Sequence, residues 1–318
     1  MHANSKPRLE ALAMQELQQK IEIFLRNIDY KPPPKPRPEP LREAIIQRAD
    51  VLGISIDADK AGKAWVDTAI TVAAEMYPDH PLSCQIYIAT LTWLAFIIDD
   101  RNKDLSVDLD LFQQRLFAGA PQSNPVLTGF AEVLAETHDH YDPLIANFIN
   151  QSALAYVNAN AMESRKEYQE MQPPRCAINW PYYFREKEGI PEAYTYFIFP
   201  KAQYPDITAF LPAVPDMMKF IALTNDILSF YKEEKAGETA NYVHKVLFCY
   251  PGLTALEVLG GITITVSEAY QRILQILDCV EEEKYRRVWV AYCMGYCAMH
   301  LRNHRYQLVD VVPHLAQE

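Results

Sequence analysis

An all-α fold is predicted by three features of the 318-residue sequence. Apolar residues recur with the helical period along most of the chain, and no pair of segments shows the apolar–polar alternation of paired strands. Glycine is scarce, at 10 residues, which argues against β-rich folds and glycine-rich phosphate loops. Hydrophobic residues make up 49% of the chain, an ordinary share for a protein with a buried core.

The N-terminal forty residues are predicted to lie outside the main domain. An amphipathic helix is expected from Arg8 to Asn27, where leucine, isoleucine and phenylalanine recur every three or four positions. The segment Lys31–Pro40 follows, with six prolines in ten residues. Proline lacks an N–H donor and fixes φ, so this segment is predicted to be an extended arm. Residues 1–40 are therefore assigned to a helix and arm, and 41–318 to one helical domain.

Within that domain the helical patterns follow one another, separated by turn signals such as Tyr77-Pro78 and Tyr250-Pro251-Gly252. The segments 81–98 and 254–280 are apolar on more than one face, so they are expected inside a helical bundle. The predicted helices are 41–52, 59–76, 81–100, 108–118, 123–137, 142–164, 179–188, 191–199, 206–234, 238–249, 254–282 and 284–308.

Charge and cysteine content restrict the partners and the compartment. The formal net charge of −11 disfavours nucleic acid and anionic lipid as partners. The six cysteines form no C-x-x-C pair and are expected to be reduced thiols. The N-terminus lacks a signal-peptide pattern, and the longest apolar stretch, Ile86–Ile98, is shorter than the roughly 18 residues of a membrane span. We expect a cytoplasmic protein with no stable membrane anchor.

An acidic cluster follows the most apolar helix. Asp99, Asp100 and Asp104 lie at its C-terminal end, where Asp100 and Asp104 are one turn apart and are expected to face the same point. Acidic groups there are opposed by the helix dipole and by each other, so the cluster costs stability unless a cation binds. Carboxylate oxygens suit Mg²⁺. The alternative is an ordinary solvated helix end.

A second polar group lies on the segment 224–234. Asn225, Ser229 and Glu233 fall at i, i+4 and i+8, so an amide oxygen, a hydroxyl and a carboxylate line one helical stripe. These are hard oxygen ligands with a spacing that suits a metal ion. Lys232 lies close to the same stripe and is suited to bind phosphate. A chance arrangement on a solvated face is disfavoured because the preceding turns are apolar.

Together, the D-D-x-x-(x)-D cluster and the N-D-I-L-S-F-Y-K-E stretch resemble the class I terpenoid cyclases. With Arg305-Tyr306, the second stretch is most similar to the family of fungal trichodiene synthase-like sesquiterpene synthases. The resemblance covers residues 40–310 approximately. It implies an isoprenoid-synthase helical bundle around a central apolar cavity, farnesyl diphosphate as substrate, three Mg²⁺ ions and a homodimer.

The same resemblance implies roles for individual residues. Asp99 would bind two of the ions, and Asn225, Ser229 and Glu233 would bind the third. The diphosphate would be bound by four side chains: Arg185, which corresponds to the family's diphosphate-sensing arginine, Lys232, Arg305 and Tyr306. Lys103 occupies the fifth position of the family's D-D-x-x-D motif, and the third acid follows one residue later. The metal-binding roles of Asp100 and Asp104 therefore stay open.

Aromatic residues are candidates for the hydrocarbon side of such a site. Ionisation of a prenyl diphosphate leaves an allylic cation, which aromatic faces stabilise and water would quench. The candidates are Trp93 and Phe96 before the acidic cluster, and Trp289, Tyr292 and Tyr296 at i, i+3 and i+7. Ordinary core packing is the alternative for each ring.

Other functions compete with a cyclase. A zinc site at Cys293, Cys297, His300 and His304 is disfavoured, because ligands along one straight helix cannot surround a tetrahedral ion. A chain-elongating prenyltransferase would need a second Asp-rich motif where Asn225-Asp226 stands. A catalytically silent helical scaffold is the third possibility, if Lys103 disrupts the metal site. Neither the product nor its class, hydrocarbon or alcohol, follows from the sequence.

Overall fold

The computed structural model describes residues 11–56 and 60–316, and within them the chain forms only helices, turns and irregular segments. The predicted all-α class is confirmed. In this part of the chain three short 3₁₀ helices, Ile207–Ala209, Leu211–Ala213 and Leu308–Asp310, accompany the α-helices. The α-helices in chain order are α1 Ala11–Asn27, α2 Glu39–Leu52, α3 Lys60–Met76, α4 Leu82–Asp100, α5 Ser106–Phe117, α6 Pro125–His140, α7 Pro143–Ser164, α8 Lys166–Gln169, α9 Trp180–Glu188, α10 Pro191–Phe197, α11 Val214–Ala236, α12 Tyr242–Cys249, α13 Ala255–Leu277, α14 Lys284–Arg302 and α15 Pro313–Ala316.

The contacts divide the chain into two compact units. One comprises Pro34–Gln172 and Glu186–Leu211. Its centre is α4, which packs against α2, α3, α6 and α7. Nearly every side chain of α4 from Cys84 to Ile98 is buried, as expected for a helix without a polar face. This unit therefore carries the acidic cluster at the end of its most buried helix.

The other unit comprises the N-terminal segment as far as Pro33, Pro173–Arg185 and the chain from Pro212 onwards. Helices α11 and α13 pack along each other, and α1 packs on α13. A capping box fixes the start of α13, because Thr254 and Glu257 satisfy each other's backbone N–H groups. The helix that carries Asn225, Ser229 and Glu233 is thus held inside this unit. The division into residues 1–40 and 41–318 stays a prediction.

Most predicted helices are found with boundaries shifted by at most four residues, but three boundaries are wrong. The helix expected at 206–234 starts at Val214, after two 3₁₀ helices, because Pro212 and Pro215 lack the N–H groups that a continuous helix needs. The helix expected at 254–282 ends at Leu277, before three consecutive glutamates that would oppose its dipole.

The third wrong boundary concerns the predicted site. The helix expected at 284–308 ends at Arg302, because the backbone of Asn303 is extended and its Oδ1 accepts from the amide of Arg305 at 2.9 Å. Arg305 and Tyr306 therefore lie in a turn. One smaller difference is that Glu39 and Pro40 open α2 instead of ending the arm. The predicted helix starts at Arg8 and Asp59 lie outside the described residues.

Among the described residues, two helical segments, Leu82–Asp100 and Ile207–Ala236, are long and apolar enough to cross a membrane by length and composition alone. The first segment is longer than the 13-residue apolar stretch Ile86–Ile98 of the sequence analysis, because the helix extends beyond that stretch at both ends. Buried fractions of 67% and 56% within these segments are typical of core helices, so they do not by themselves indicate membrane insertion. The absence of a membrane anchor stays a prediction.

A fall in pH should destabilise the unit centred on α4, because the buried His80 becomes protonated. Its Nε2–H donates to the carbonyl of Phe197 at 2.8 Å, and burial lowers its pKa to about 4 from an ordinary 6.5. Between the folded and the ordinary pKa of His80, the unfolded chain binds more protons than the folded chain. The free energy of unfolding therefore falls as the pH falls, by at most about 1.4 kcal/mol per pH unit. Urea unfolding at several pH values should show a shallower fall for His80→Gln, which keeps a donor but does not titrate. Identical pH profiles would contradict this assignment.

Candidate active site

The acidic cluster lies at the end of α4 and in the turn that follows. Asp99 and Asp100 are the last residues of the helix, and both are exposed. Trp65 Nε1–H donates to the Asp100 carboxylate, and the Arg101 guanidinium lies 5.1 Å from the centre of the Trp65 ring. Asp104 is exposed in the turn, where its amide donates to the carbonyl of Arg101 at 3.0 Å. The helix therefore does not continue to Asp104, and helical spacing no longer supports a shared metal contact with Asp100.

Helix α7 supports this helix end from within the same unit. The Tyr156 hydroxyl donates to the carbonyl of Ala95 at 2.7 Å. Burial, with a smaller contribution from the charge of Asp99, holds the pKa of Tyr156 well above its usual range. Buried Asn160 donates to the carbonyl of Tyr156 at 3.1 Å, and its Oδ1 lies 3.4 Å from Nδ2 of Asn102. Sequence analysis missed Tyr156 and Asn160, although a buried asparagine in an apolar helix is a signal.

The two aromatic candidates on α4 differ in exposure. Trp93 is buried, with 1% of its surface exposed, whereas Phe96 is half-buried. Thr92 lies beside Trp93 in the chain, and its hydroxyl is 2.9 Å from that of Tyr194. Trp93 is thus part of the core, while Phe96 reaches the surface of the unit.

The polar stripe forms on α11 as predicted from the spacing. Ser229 Oγ donates to Glu233 Oε1 at 2.5 Å, so the hydroxyl and the carboxylate meet on one face of the helix. Ser229 is buried, and Asn225 and Glu233 are half-buried. Carboxylate, hydroxyl and amide oxygens are the donors that Mg²⁺ prefers, so this set fits the ion that the resemblance implies.

Arg185 is held beside the same stripe by a buried ion pair. Its Nε lies 2.8 and 3.1 Å from the two carboxylate oxygens of Asp226, and the exposed fractions of the two side chains are 8% and 6%. Its Nη2 donates to the carbonyl of Ala222 at 2.9 Å and to Asn225 Oδ1 at 3.0 Å. Two predicted site residues, Arg185 and Asn225, are thus in direct contact. Sequence analysis gave Asp226 no role.

The three remaining diphosphate candidates lie in the same unit. Lys232 Nζ lies 3.9 Å from a carboxylate oxygen of Glu238, and the side chain is mostly buried. Tyr306 is buried, and burial raises the pKa of its hydroxyl to about 12, so it is a neutral donor near pH 7. Arg305 is half-buried. Whether these groups bind diphosphate stays a prediction.

The aromatic candidates on α14 form a continuous stack. The ring of Trp289 stacks on Tyr292 at 5.8 Å, and Tyr292 stacks on Tyr296 at 5.7 Å. The Tyr296 hydroxyl donates to the carbonyl of Ile221 in α11 at 3.0 Å. All three residues are buried. The spacing thus correctly predicted that the three rings share one face of α14. Their contact with a substrate stays a prediction.

The four residues considered as zinc ligands differ in burial. Within residues 11–56 and 60–316, no group of three or more His, Cys, Asp and Glu side chains could hold a metal ion. Cys293, Cys297 and His300 are buried, whereas His304 is exposed. Burial raises the pKa of Cys297, so this group is a neutral thiol.

Comparison with known proteins identifies the family. The profile described as "Trichodiene synthase (TRI5)" matches residues 50–318. Terpene synthase BipA of Cochliobolus sativus is 36% identical over 311 residues, which is 97% of this chain and 94% of that protein. Longiborneol synthase CLM1 of Gibberella zeae is 33% identical over 299 residues, 93% of this chain and 87% of that protein.

The fold is also shared with solved structures. The linalool/nerolidol synthase of Streptomyces clavuligerus superposes with a TM-score of 0.64 at 14% identity, covering 85% of this chain and 98% of that chain. A single-residue variant of cucumene synthase gives a TM-score of 0.58 at 16% identity, covering 91% and 99%. The fold is therefore that of the class I terpenoid cyclases. With the profile and the two fungal relatives, this shows that the chain belongs to the trichodiene synthase (TRI5) family.

Proposed function

We propose that this chain is a Mg²⁺-dependent sesquiterpene synthase, a lyase that ionises farnesyl diphosphate and cyclises the carbocation to a C15 hydrocarbon or alcohol. The observation that carries the proposal is the oxygen stripe of α11, in which Asn225, Ser229 and Glu233 supply the donors that Mg²⁺ prefers. Membership of a family whose relatives here are fungal terpene synthases supports it.

Asp99 at the end of α4 would bind two of the three Mg²⁺ ions that the resemblance implies, and the stripe on α11 would bind the third. Asp100 and Asp104 are further candidates, and Asp100 already accepts from Trp65. When bound, the ions supply positive charge that stabilises the departing diphosphate.

The chain itself would add positive charge and hydrogen-bond donors. Lys232 and Arg305 offer cationic donors to the diphosphate, and Tyr306 offers a neutral hydroxyl. Arg185 would join them, and its position is already fixed by Asp226. Such preorganised donors stabilise the growing negative charge without reorganising during the C–O cleavage.

The hydrocarbon part of the substrate would contact aromatic side chains. Phe96, Tyr292 and Tyr296 are candidates whose faces stabilise positive charge and whose bulk excludes water. The buried rings of Trp93 and Trp289 would support them. The raised pKa of Tyr296, caused mainly by burial, keeps its hydroxyl protonated, so it would not act as a base towards a cation.

Three narrower proposals concern the surroundings of the enzyme. The net charge of −11 supports a protein without a nucleic-acid partner. We propose a cytoplasmic enzyme without a stable membrane anchor, since the two apolar helical segments are mostly buried. We also propose a homodimer, which rests on the family resemblance.

Incubation of the purified chain with farnesyl diphosphate and Mg²⁺ tests the proposal. We expect release of inorganic diphosphate and cyclic C15 volatiles, and no turnover in excess EDTA. Geranyl diphosphate in a parallel incubation tests the chain length of the substrate. Longer prenyl diphosphates would instead indicate a chain-elongating prenyltransferase, and the absence of diphosphate release would indicate a silent scaffold.

A further inference from the structure

The imidazole of His300 lies among three residues of the candidate site. It belongs to α14 and is fully buried. Its ring centre lies 4.6 Å from that of Tyr296 and 4.3 Å from that of Tyr306. Its Nε2 lies 3.1 Å from Nδ2 of Asn225. The ring therefore connects the stripe of α11 with the turn that carries Tyr306.

The partners of the imidazole determine which nitrogen carries the proton. Nδ1 lies 2.8 Å from the backbone carbonyl of Tyr296, which accepts hydrogen bonds only, so Nδ1 is protonated. Nε2 lies 3.1 Å from the Asn225 NH₂ group, which only donates, so Nε2 is the acceptor of the ring.

The orientation of the Asn225 amide follows from two independent partners. Nη2 of Arg185 can only donate hydrogen bonds, so the group of Asn225 that faces it at 3.0 Å is the acceptor Oδ1. The NH₂ group consequently faces His300, whose Nε2 accepts. A flipped amide would place two donors together at Arg185 and two acceptors together at His300, which buried groups rarely tolerate.

We propose that His300 is a positioning residue, which fixes the Asn225 carboxamide so that Oδ1 is presented to Mg²⁺. This inference rests on the proposed function of the α11 stripe. An amide oxygen has two lone pairs, so Oδ1 can accept from Arg185 and bind a cation at the same time. The contact with Tyr306 lets the same ring support a residue proposed to bind diphosphate.

Metal binding measured without turnover tests the role of His300. Each variant is saturated with inorganic diphosphate and titrated with Mn²⁺ in a calorimeter, which gives its affinity for Mn²⁺. His300→Leu removes the acceptor at similar volume and should weaken Mn²⁺ binding about 10-fold or more, as is typical of outer-shell partners. His300→Gln places an amide oxygen near the former Nε2, so it should stay within about threefold of the wild type.

A matched pair keeps the test valid if the leucine variant does not fold. His300→Asn is chemically close to His300→Gln, but its shorter amide reaches only the position of Nδ1, so it should bind Mn²⁺ as weakly as the leucine variant. If the role of His300 were merely structural, both amide variants would lose thermal stability to a similar extent, and their affinities for Mn²⁺ would not differ from each other. Cys297→Ala, one turn earlier on α14 and also buried, controls for packing changes in that helix.

The outcomes separate the two levels of the proposal. If the unmodified chain does not bind Mn²⁺ with diphosphate, the proposed function fails and the role of His300 fails with it. If the wild type binds and the glutamine and asparagine variants bind equally well, only the role of His300 is overturned.

Discussion

Glu233→Ala and Asn225→Ala are each expected to lower kcat for diphosphate release from farnesyl diphosphate by about 100-fold or more. Replacement of outer-shell partners alone costs roughly 10- to 100-fold in metal affinity or activity, so loss of a direct oxygen ligand should cost at least the upper part of that range. Glu233 also accepts the Ser229 hydroxyl at 2.5 Å, so its removal disturbs two of the three donors. Diphosphate release at several Mg²⁺ concentrations measures the effect.

The neighbouring Glu234 provides a matched control for this expectation. Glu234→Ala removes the same functional group from the next position of α11, where the carboxylate lies 3.3 Å from Nε2 of His244 instead of joining the stripe. It should leave kcat within about threefold of the wild type, like Cys297→Ala, since Glu234 pairs with His244, Cys297 is a buried thiol, and neither belongs to the proposed ligand set. Equal losses in Glu233→Ala and Glu234→Ala would contradict the assignment of the stripe.

The elements that sequence analysis predicted well depend on local spacing. The stripe on α11 followed from a period of 3.6 residues, and the stack on α14 followed from the same rule, because both need only one continuous helix. The boundaries that failed lie where single residues interrupt a helix, as Asn303 does before Arg305. Asp104 lies in the turn after Asp100, where the predicted and the observed helix both end, so the expected one-turn spacing between these two acids is not helical.

The contacts that sequence analysis missed join residues far apart in the chain. Arg185 and Asp226 are separated by 41 positions, and Asn225 and His300 by 75. Periodicity shows which face of a helix is polar, but the partner helix opposite that face is set by packing. A carboxylate in the middle of the apolar segment 220–230 does signal that a buried cationic partner exists, because an unpaired buried charge is costly. The identity of that partner required the structure.

Asp226→Ala is expected to lower the free energy of unfolding by about 3 to 5 kcal/mol, the range for breaking a buried ion pair by removing one partner. The change leaves the Arg185 guanidinium buried, with the carbonyl of Ala222 and the amide of Asn225 as neutral acceptors. Neutral acceptors do not compensate a full charge in a medium of low polarity. Equilibrium unfolding in urea measures the loss.

Two further variants separate the cost of leaving a charge buried from the general cost of removing an acidic side chain from α11. Asp216, on the same helix, makes a more exposed pair with Arg272 at 2.8 Å, so Asp216→Ala should cost no more than about 1 kcal/mol. The double variant Arg185→Met with Asp226→Leu removes both charges, and its unfolding free energy should lie closer to the wild type than that of Asp226→Ala alone. If the double variant is as unstable as the single one, the loss comes from packing and not from an uncompensated guanidinium. In that case the ion pair would orient Arg185 beside the stripe, and the cost of a buried unpaired charge would not explain the loss of stability.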